Sequence, residues 1–274
     1  MINGVKRIED GEMKGYVPGL LMSSGVRGLV RAVLLDVGDT MLHLDRSWDE
    51  VFQANLEALD NYLNSLGVKI DAKKFNERLV NMFNDASYRA DLFKIEVPME
   101  EIIGKSLRKS GLQVLGVDLP TNAMMEFYRP EVESWQLYPD TVETLTRFSK
   151  EGYVLGVVSN AKSDWAVRAI LRQRDLDGFF KTIVTSAALK IRKPRYEIFK
   201  RALVDLDVNP SDAVFIGDSI SADVGGSKNM GMYSIHILRK PIEATNLSRP
   251  DATVMNLSET PEIVAQWSNG LRKS

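Results

Sequence analysis

The apolar positions of this chain follow two rhythms, and the change between them divides it. Ala32-Val33-Leu34-Leu35 is an unbroken apolar run leading into Asp36-Val37-Gly38-Asp39-Thr40. Four residues before a glycine turn are too few for a helix, and their continuity predicts a strand covered on both faces. From Ser47 the rhythm turns helical: Trp48, Phe52, Leu56, Leu59, Leu63 and Leu66 recur every three or four positions up to Gly67. Ser47 and Glu50 stand at capping-box spacing, which fixes the expected start. Asp71 is placed to cap a second helix carrying Phe75, Leu79 and Met82. A third is expected after Pro98, with Ile102, Ile103 and Leu107 and an end at Gly111; a fourth is expected over Thr121 to Tyr128. Residues 43–132 thus read as an all-helical insert.

From Pro139 helices and strands alternate. A helix on Val142, Leu145 and Phe148 ends at Gly152, and the strand Tyr153 to Val158 follows. Ser163 opens a helix with Trp165, Ile170 and Leu171, before a short strand from Thr182 to Thr185. A helix from Tyr196 to Leu206, a strand from Ala213 to Ile216 and a helix after Asp223 come next; strands from Tyr233 to Leu238 and Ala252 to Met255 complete the series. Strands separated by helices imply right-handed crossovers and a parallel sheet with helices on both faces. The fold class is therefore α/β, its core formed by residues 28–42 and 133–274. Residues 1–27 lack periodicity and are read as an N-terminal extension, with Met22 a candidate start.

Composition narrows the function classes. A net charge of −2 over 274 residues gives no electrostatic reason to expect nucleic acid or an anionic membrane as partner. With no cysteine there is no thiolate metal site, no disulfide and no cysteine nucleophile. The first 30 residues lack the apolar core and cleavage site of a secretory leader, and no stretch approaches a membrane span. A cytoplasmic protein acting on a small molecule is the expectation.

In an open parallel sheet, ligands bind beyond the carboxyl ends of the strands. Asp36, Ser159 and Asp218 each close a predicted strand. Lys193-Pro194 leads into a helix, and Asp223 follows Gly217-Asp218-Ser219. Taken singly these are ordinary: a lone aspartate after a strand is usually a turn or cap residue, and Lys-Pro a solvated turn. Taken together, carboxylates, a hydroxyl and a lysine at converging strand ends suit metal-assisted attack on phosphorus.

The order and spacing of these segments resemble the haloacid-dehalogenase-like (HAD) hydrolases, over residues 31 to about 260. Asp36 to Thr40 resembles the first motif of that superfamily, Leu155 to Asn160 the second, Ile191 to Phe199 the third, and Val214 to Asp223 with Gly231-Met232 the fourth. The resemblance implies a Rossmann-like parallel sheet core with an inserted all-helical cap domain. It implies that Asp36 attacks phosphorus and forms an aspartyl-phosphate. Mg²⁺ would be held by Asp36, the main-chain carbonyl of Gly38 and Asp218, with Asp223 touching the ion or a ligand to it. Thr40 would steady the loop, Ser159 and Asn160 would hold phosphate oxygens, and Lys193, rather than its neighbour Lys190, would neutralise the nucleophile.

One position departs from the pattern. Gly38 stands where most phosphatases of the superfamily carry a second aspartate, the group that protonates the leaving oxygen and activates water. Asp39 is the nearest substitute, with His43 and Asp45 on the loop beyond it. A positive φ at Gly38 would oppose any side chain there. Three functions follow: a Mg²⁺-dependent phosphohydrolase of a small phosphorylated metabolite with altered acid–base chemistry; a non-phosphate hydrolase, either a dehalogenase or a phosphonate hydrolase using Lys73, Lys74 or Lys94; or a non-catalytic phosphate-binding protein. Trp48, Tyr88, Arg89, Phe93 and Tyr128 are candidates for either helical core or cleft lining.

Overall fold

The computed structural model describes residues 29–112, 118–239 and 248–269. The expected N-terminal extension, with Met22, lies outside them. The chain runs β1 (Ala32–Leu35), β2 (Leu42–Leu44), α1 (Trp48–Ser65), α2 (Ala72–Phe93), α3 (Met99–Lys109), α4 (Leu119–Ser134) and β3 (Trp135–Leu137). It continues through α5 (Thr141–Lys150), β4 (Val154–Ser159), α6 (Asp164–Gln173), β5 (Phe180–Thr185), α7 (Ser186–Leu189), α8 (Tyr196–Leu206) and β6 (Ala213–Gly217). A π-helical turn (Ile220–Val224), α9 (Gly225–Asn229), β7 (Tyr233–Ile237), β8 (Ala252–Val254) and α10 (Thr260–Ser268) follow.

Six strands form one parallel sheet in the order β5-β4-β1-β6-β7-β8. Alternate residues of β1 explain the unbroken apolar run. Val33 and Leu35 face a cluster with Leu145 and Phe148 of α5 and Ile170 and Leu171 of α6, while Ala32 and Leu34 face Ile198, Phe199 and Leu203 of α8. Each fully buried leucine or phenylalanine stabilises the fold by about 1.5–3 kcal/mol. Both sheet faces need apolar side chains, and a polar residue in β1 would have no solvent side to turn to. The strand order reverses around β1, which pairs with β4 on one side and β6 on the other. Leu35 is level with Val157 and with Ile216. Asp36, Ser159 and Asp218 therefore leave the same edge of the sheet.

The helical segment forms as its caps dictate. Ser47 and Glu50 complete the capping box of α1, and the Asp71 side chain accepts from Lys74 N at the start of α2. Two expectations need correction. Helix α4 does not stop near Tyr128 but runs through Pro130 to Ser134, because Phe127, Glu131, Val132 and Ser134 are all buried there and packing outweighs the lost backbone donor. Val142 is largely exposed; Thr141 and Thr144 share the inner face of α5 with Leu145 and Phe148. The ribbon in which β2 pairs antiparallel with β3 was not foreseen, three-residue strands being too short to leave a periodicity. Nor was α10. The ribbon brings together the two points where the chain enters and leaves the helical segment.

The helical segment is also stitched to the sheet side by Glu96, in the α2–α3 connection. Its carboxylate is buried against Lys162 Nζ at 3.0 Å, Ser186 Oγ at 2.9 Å and Arg192 Nη1 at 2.9 Å. The backbone joins in: Glu96 N–H donates to Lys190 O, Arg192 N–H to Lys94 O and Met99 N–H to Lys162 O. One carboxylate thus holds the loops that follow β4 and precede α8. Glu96→Gln leaves two cations without their buried counter-charge, and it is expected to lower unfolding free energy by about 3 kcal/mol. A urea midpoint equal to the parent's would show that these pairs are energetically neutral.

Candidate active site

At the carboxyl edge of the sheet the strands deliver three aspartates to one point. Asp36 follows β1 and is held by its own N–H, which donates to Ile216 O at 3.0 Å. Asp218 follows β6, and its carbonyl accepts from His236 Nε2 of β7 at 2.8 Å. Asp223 returns from the π-helical turn, where its Oδ2 accepts from Ser219 N–H at 3.0 Å. One oxygen from each of these three carboxylates lies within 4.8 Å of the others. Gly217 makes the approach of Asp223 possible: a Cβ there would stand 2.3 Å from Asp223 Oδ2.

Lys193 ties the cluster together. Its ammonium lies 2.6 Å from Asp36 Oδ1, 2.8 Å from Asp223 Oδ1 and 2.8 Å from the Val158 carbonyl, and the side chain is only 2% exposed. Its loop is fixed by Asn160, whose Oδ1 accepts from Lys193 N–H at 2.8 Å and whose Nδ2 donates to Lys193 O at 3.2 Å. Lys190, by contrast, pairs with Glu101 at an exposed site. Three carboxylates face one ammonium, and the electrostatics record the imbalance. Burial pushes Asp36 up to about 6, with Lys193 opposing and Asp223 adding to the rise. Asp218 is pushed up to about 7 by burial, then by Asp36, Asp223 and Asp39. Burial works against the charge of Lys193, but Asp223 and Asp36 outweigh it and hold its pKa above the ordinary lysine value. An oxygen-only cluster with surplus negative charge is the donor set that a small hard divalent cation prefers.

The cluster opens onto a cavity of about 560 Å³ lined by Asp36, Gly38, Ser159, Asn160, Lys193 and Asp218 from the sheet side. Of the aromatic candidates in the helical segment, Trp48 and Tyr128 line it; Tyr88 and Phe93 are exposed and, like Arg89, lie outside it. Lys94 reaches it, whereas Lys73 and Lys74 do not. Thr40 is fully buried, yet its Oγ1 has no hydrogen-bond partner, so any steadying of the loop comes through packing.

The surroundings of Gly38 differ from expectation. The positive φ belongs to Asp39 (52°), not to Gly38. What fills the side-chain space is an indole: a Cβ at position 38 would meet Trp135 Cη2 at 3.0 Å. Asp39 approaches Asp218 but does not line the cavity. Nor does His43, whose Nδ1 lies 3.0 Å from Leu44 O and whose ring packs on Tyr138, or Asp45, which pairs with Arg46. Trp135, Glu131, Lys162 and Arg192 also line the cavity, and sequence reasoning missed them. Lys162 and Arg192 stand beside motif residues, so adjacency was their available signal. Trp135 and Glu131 carried none, being placed by the unexpected length of α4.

Comparison with known proteins gives a consistent picture. A family model described as haloacid dehalogenase-like hydrolase matches residues 64–237. A glyceraldehyde 3-phosphate phosphatase of Methanocaldococcus jannaschii is 26% identical over 242 residues, 86% of this chain and 97% of that protein. The same-named protein of Pyrococcus furiosus is 31% identical over 137 residues, 49% of this chain but only 57% of its own length. Among solved structures, an HAD phosphatase from Thermococcus onnurineus superposes with a TM-score of 0.59 at 25% identity, covering 86% of this chain and 98% of that one. A 2-haloacid dehalogenase from Pseudomonas syringae superposes at 0.61 with 24% identity, over 87% and 100% of the two chains, a likeness of fold.

The raised carboxyls set a pH dependence. Asp36 and Asp218 have an ordinary value of 3.8 and titrate near 6 and 7 in the folded protein, so between about pH 4 and 7 the native state holds protons that the unfolded state has released. Stability from this source is present below about pH 4 and is lost as pH rises through 7. In chelator-treated protein, Asp218→Asn is expected to flatten the fall in unfolding free energy between pH 5 and 8 by on the order of 2 kcal/mol. Parallel pH profiles for the two proteins would contradict the assigned strain.

Proposed function

The chain belongs to the haloacid dehalogenase-like hydrolases, and from that premise we propose a Mg²⁺-dependent phosphohydrolase of a small phosphorylated metabolite working through an aspartyl-phosphate on Asp36. The observation that carries this reading is the buried Lys193 ammonium, 2.6 Å from Asp36 in a cluster that also holds Asp218 and Asp223. The names of the archaeal relatives point to phosphate esters as well. A dehalogenase displaces halide at carbon without a metal, and two further aspartates beside the nucleophile would serve it poorly.

In this reading Asp36 attacks phosphorus as the P–O bond to the leaving group breaks. Water then attacks phosphorus, the bond to Asp36 breaks, and inorganic phosphate departs. Lys193 keeps Asp36 ionised and offsets charge on the transferring group, while Ser159 and the Asn160 N–H hold phosphate oxygens. The Asn160 side chain is committed to the Lys193 loop, so it acts by positioning. Asp36, Asp218 and the Gly38 carbonyl would hold Mg²⁺, which supplies charge neutralisation when bound. Both oxygens of Asp223 are engaged by Ser219 and Lys193, which favours a supporting role for it. Residues 43–132 serve as the cap over the cleft, and the β2–β3 ribbon marks its attachment.

Binding of Mg²⁺ tests the site directly. Calorimetry is expected to detect it in the parent and to find at least about tenfold weaker binding in Asp218→Asn, because the ion has few protein ligands. Equal affinities would remove Asp218 from the site.

Proton transfer is where this chain departs from its family. With Trp135 over Gly38 and both Asp39 and His43 outside the cavity lining, this reading assigns the first motif no acid for the leaving oxygen. Aryl and acyl phosphates, whose leaving groups depart unprotonated, are expected to exceed alkyl phosphates by a wide margin. Gly38→Asp alone crowds the indole; combined with Trp135→Ala it has room. The double variant is expected to hydrolyse alkyl phosphates at least about tenfold faster than Trp135→Ala alone, against the ~10²–10⁴-fold a placed acid–base group contributes. A folded, Mg²⁺-binding double variant with no gain would show that Gly38 does not mark a missing acid–base group.

A further inference from the structure

Part of the cavity wall comes from the helical segment, and one group in it has no part in the chemistry above. Glu131 of α4 is buried and lines the same cavity as Asp36 and Asp218. Its carboxylate accepts from Asn55 Nδ2 at 3.3 Å, a long bond, and no lysine or arginine stands beside it. Burial pushes the carboxyl up to about 7, with Asn55 and the Trp135 indole opposing the rise. Asn55 Oδ1 is itself buried without a hydrogen-bond partner, and the Trp135 indole faces the Glu131 carboxylate. Packing does not call for an acid here, because glutamine would fill the same volume without the cost of burying a charge.

The cations that line this side of the cavity are engaged by other groups. Lys162 and Arg192 pair with Glu96 at 3.0 and 2.9 Å, Arg192 also with Asp91 at 3.4 Å, and Lys94 Nζ donates to the Asp91 carbonyl. Of the two described acids that line the cavity from the helical segment, Asp91 pairs with Arg192 and Glu131 has no cation beside it. Its surroundings are aromatic: Trp48, Phe83, Tyr128 and Trp135 line the cavity with it. Ring faces attract cations, and an ionised carboxylate can only accept hydrogen bonds. An ammonium satisfies both. The indole of Trp135 reaches the Gly38 side through Cη2 and affects Glu131 from its other side. The same indole therefore lies between Gly38 and Glu131.

We propose that Glu131 is a specificity-determining residue which receives an ammonium carried on the leaving group, so that the preferred substrates are phosphate monoesters of amine-bearing alcohols or phenols. This rests on the phosphohydrolase reading. The ammonium replaces the counter-charge that the fold does not supply, and the aromatic wall receives the carbon frame between the two charged ends.

The experiment compares 4-(aminomethyl)phenyl phosphate with its 4-methyl and 4-(hydroxymethyl) analogues, which share an aryl leaving group. The amine is expected to have a kcat/KM about tenfold or more above both analogues, mainly through KM. Glu131→Gln is expected to abolish that preference while leaving the 4-methyl ester within about twofold of the parent. Should the variant fold poorly, calorimetry on the parent protein serves instead, with 4-(aminomethyl)phenol expected to bind at least about tenfold more tightly than 4-methylphenol. Equal kcat/KM for amine and methyl esters, a hydroxymethyl ester as good as the amine, or an equal loss on all three esters in Glu131→Gln would each overturn the proposal. If none of the esters is hydrolysed, the phosphohydrolase reading fails, and the calorimetric comparison still decides whether Glu131 binds an ammonium.

Discussion

The site depends on one buried ammonium. Lys193 Nζ, held by Asp36, Asp223 and the Val158 carbonyl, joins residues from β1, β4, the π-helical turn and the loop before α8. Without it, Asp36 and Asp223 would be neighbouring, largely buried carboxylates with no counter-charge. Breaking a buried pair of this kind costs about 3–5 kcal/mol, since the partner charge stays behind unpaired. Other features follow from accommodating it. Gly217 leaves room for Asp223, Asn160 spends its side chain on the Lys193 backbone, and Lys193 Nζ lies 5.2 Å from the centre of the Phe215 ring. A single lysine does not balance three aspartates; burial first, and then the neighbouring carboxylates, hold Asp36 and Asp218 above the ordinary range.

Gly38 gains its meaning from Trp135. Read as one missing side chain, a glycine in the first motif could have been a small defect in an otherwise ordinary site. The indole against it shows that the space is filled, and it is filled by the residue that begins β3 where the chain returns from the helical segment. The cavity is aromatic on that side, with Trp48, Phe83 and Tyr128 beside Trp135. In the proposed reaction this one contact bears on both proton supply and the shape presented to the leaving group.

The helical segment is bound to the sheet side by charge as well as by apolar packing. Glu96 neutralises Lys162 and Arg192, and those two cations adjoin the loops that carry Asn160 and Lys193. The seating of the helices and the order of the loops that carry Asn160 and Lys193 are therefore parts of one hydrogen-bonded unit. Glu131, on the same segment, has no comparable partner, and this contrast gives it functional interest.

The sequence by itself determined the sheet, most of its helices and the convergence of the motif residues. A strand covered on both faces must be apolar at every position, and parallel crossovers bring successive strand ends to one edge; β1, β4 and β6 could therefore be read, and Asp36, Ser159 and Asp218 placed together, before any coordinate was known. Caps were equally legible, because Ser47 with Glu50 and Asp71 act through neighbours three residues away. Only the tertiary structure decided the rest. The extension of α4 past Pro130, the β2–β3 ribbon and the exposure of Val142 reflect which surfaces meet, and no local pattern encodes that. Trp135 over Gly38, Glu96 between two cations and Glu131 without one are contacts across long stretches of chain. Their energies depend on burial and on distance in space, and a residue's type and its neighbours in sequence specify neither.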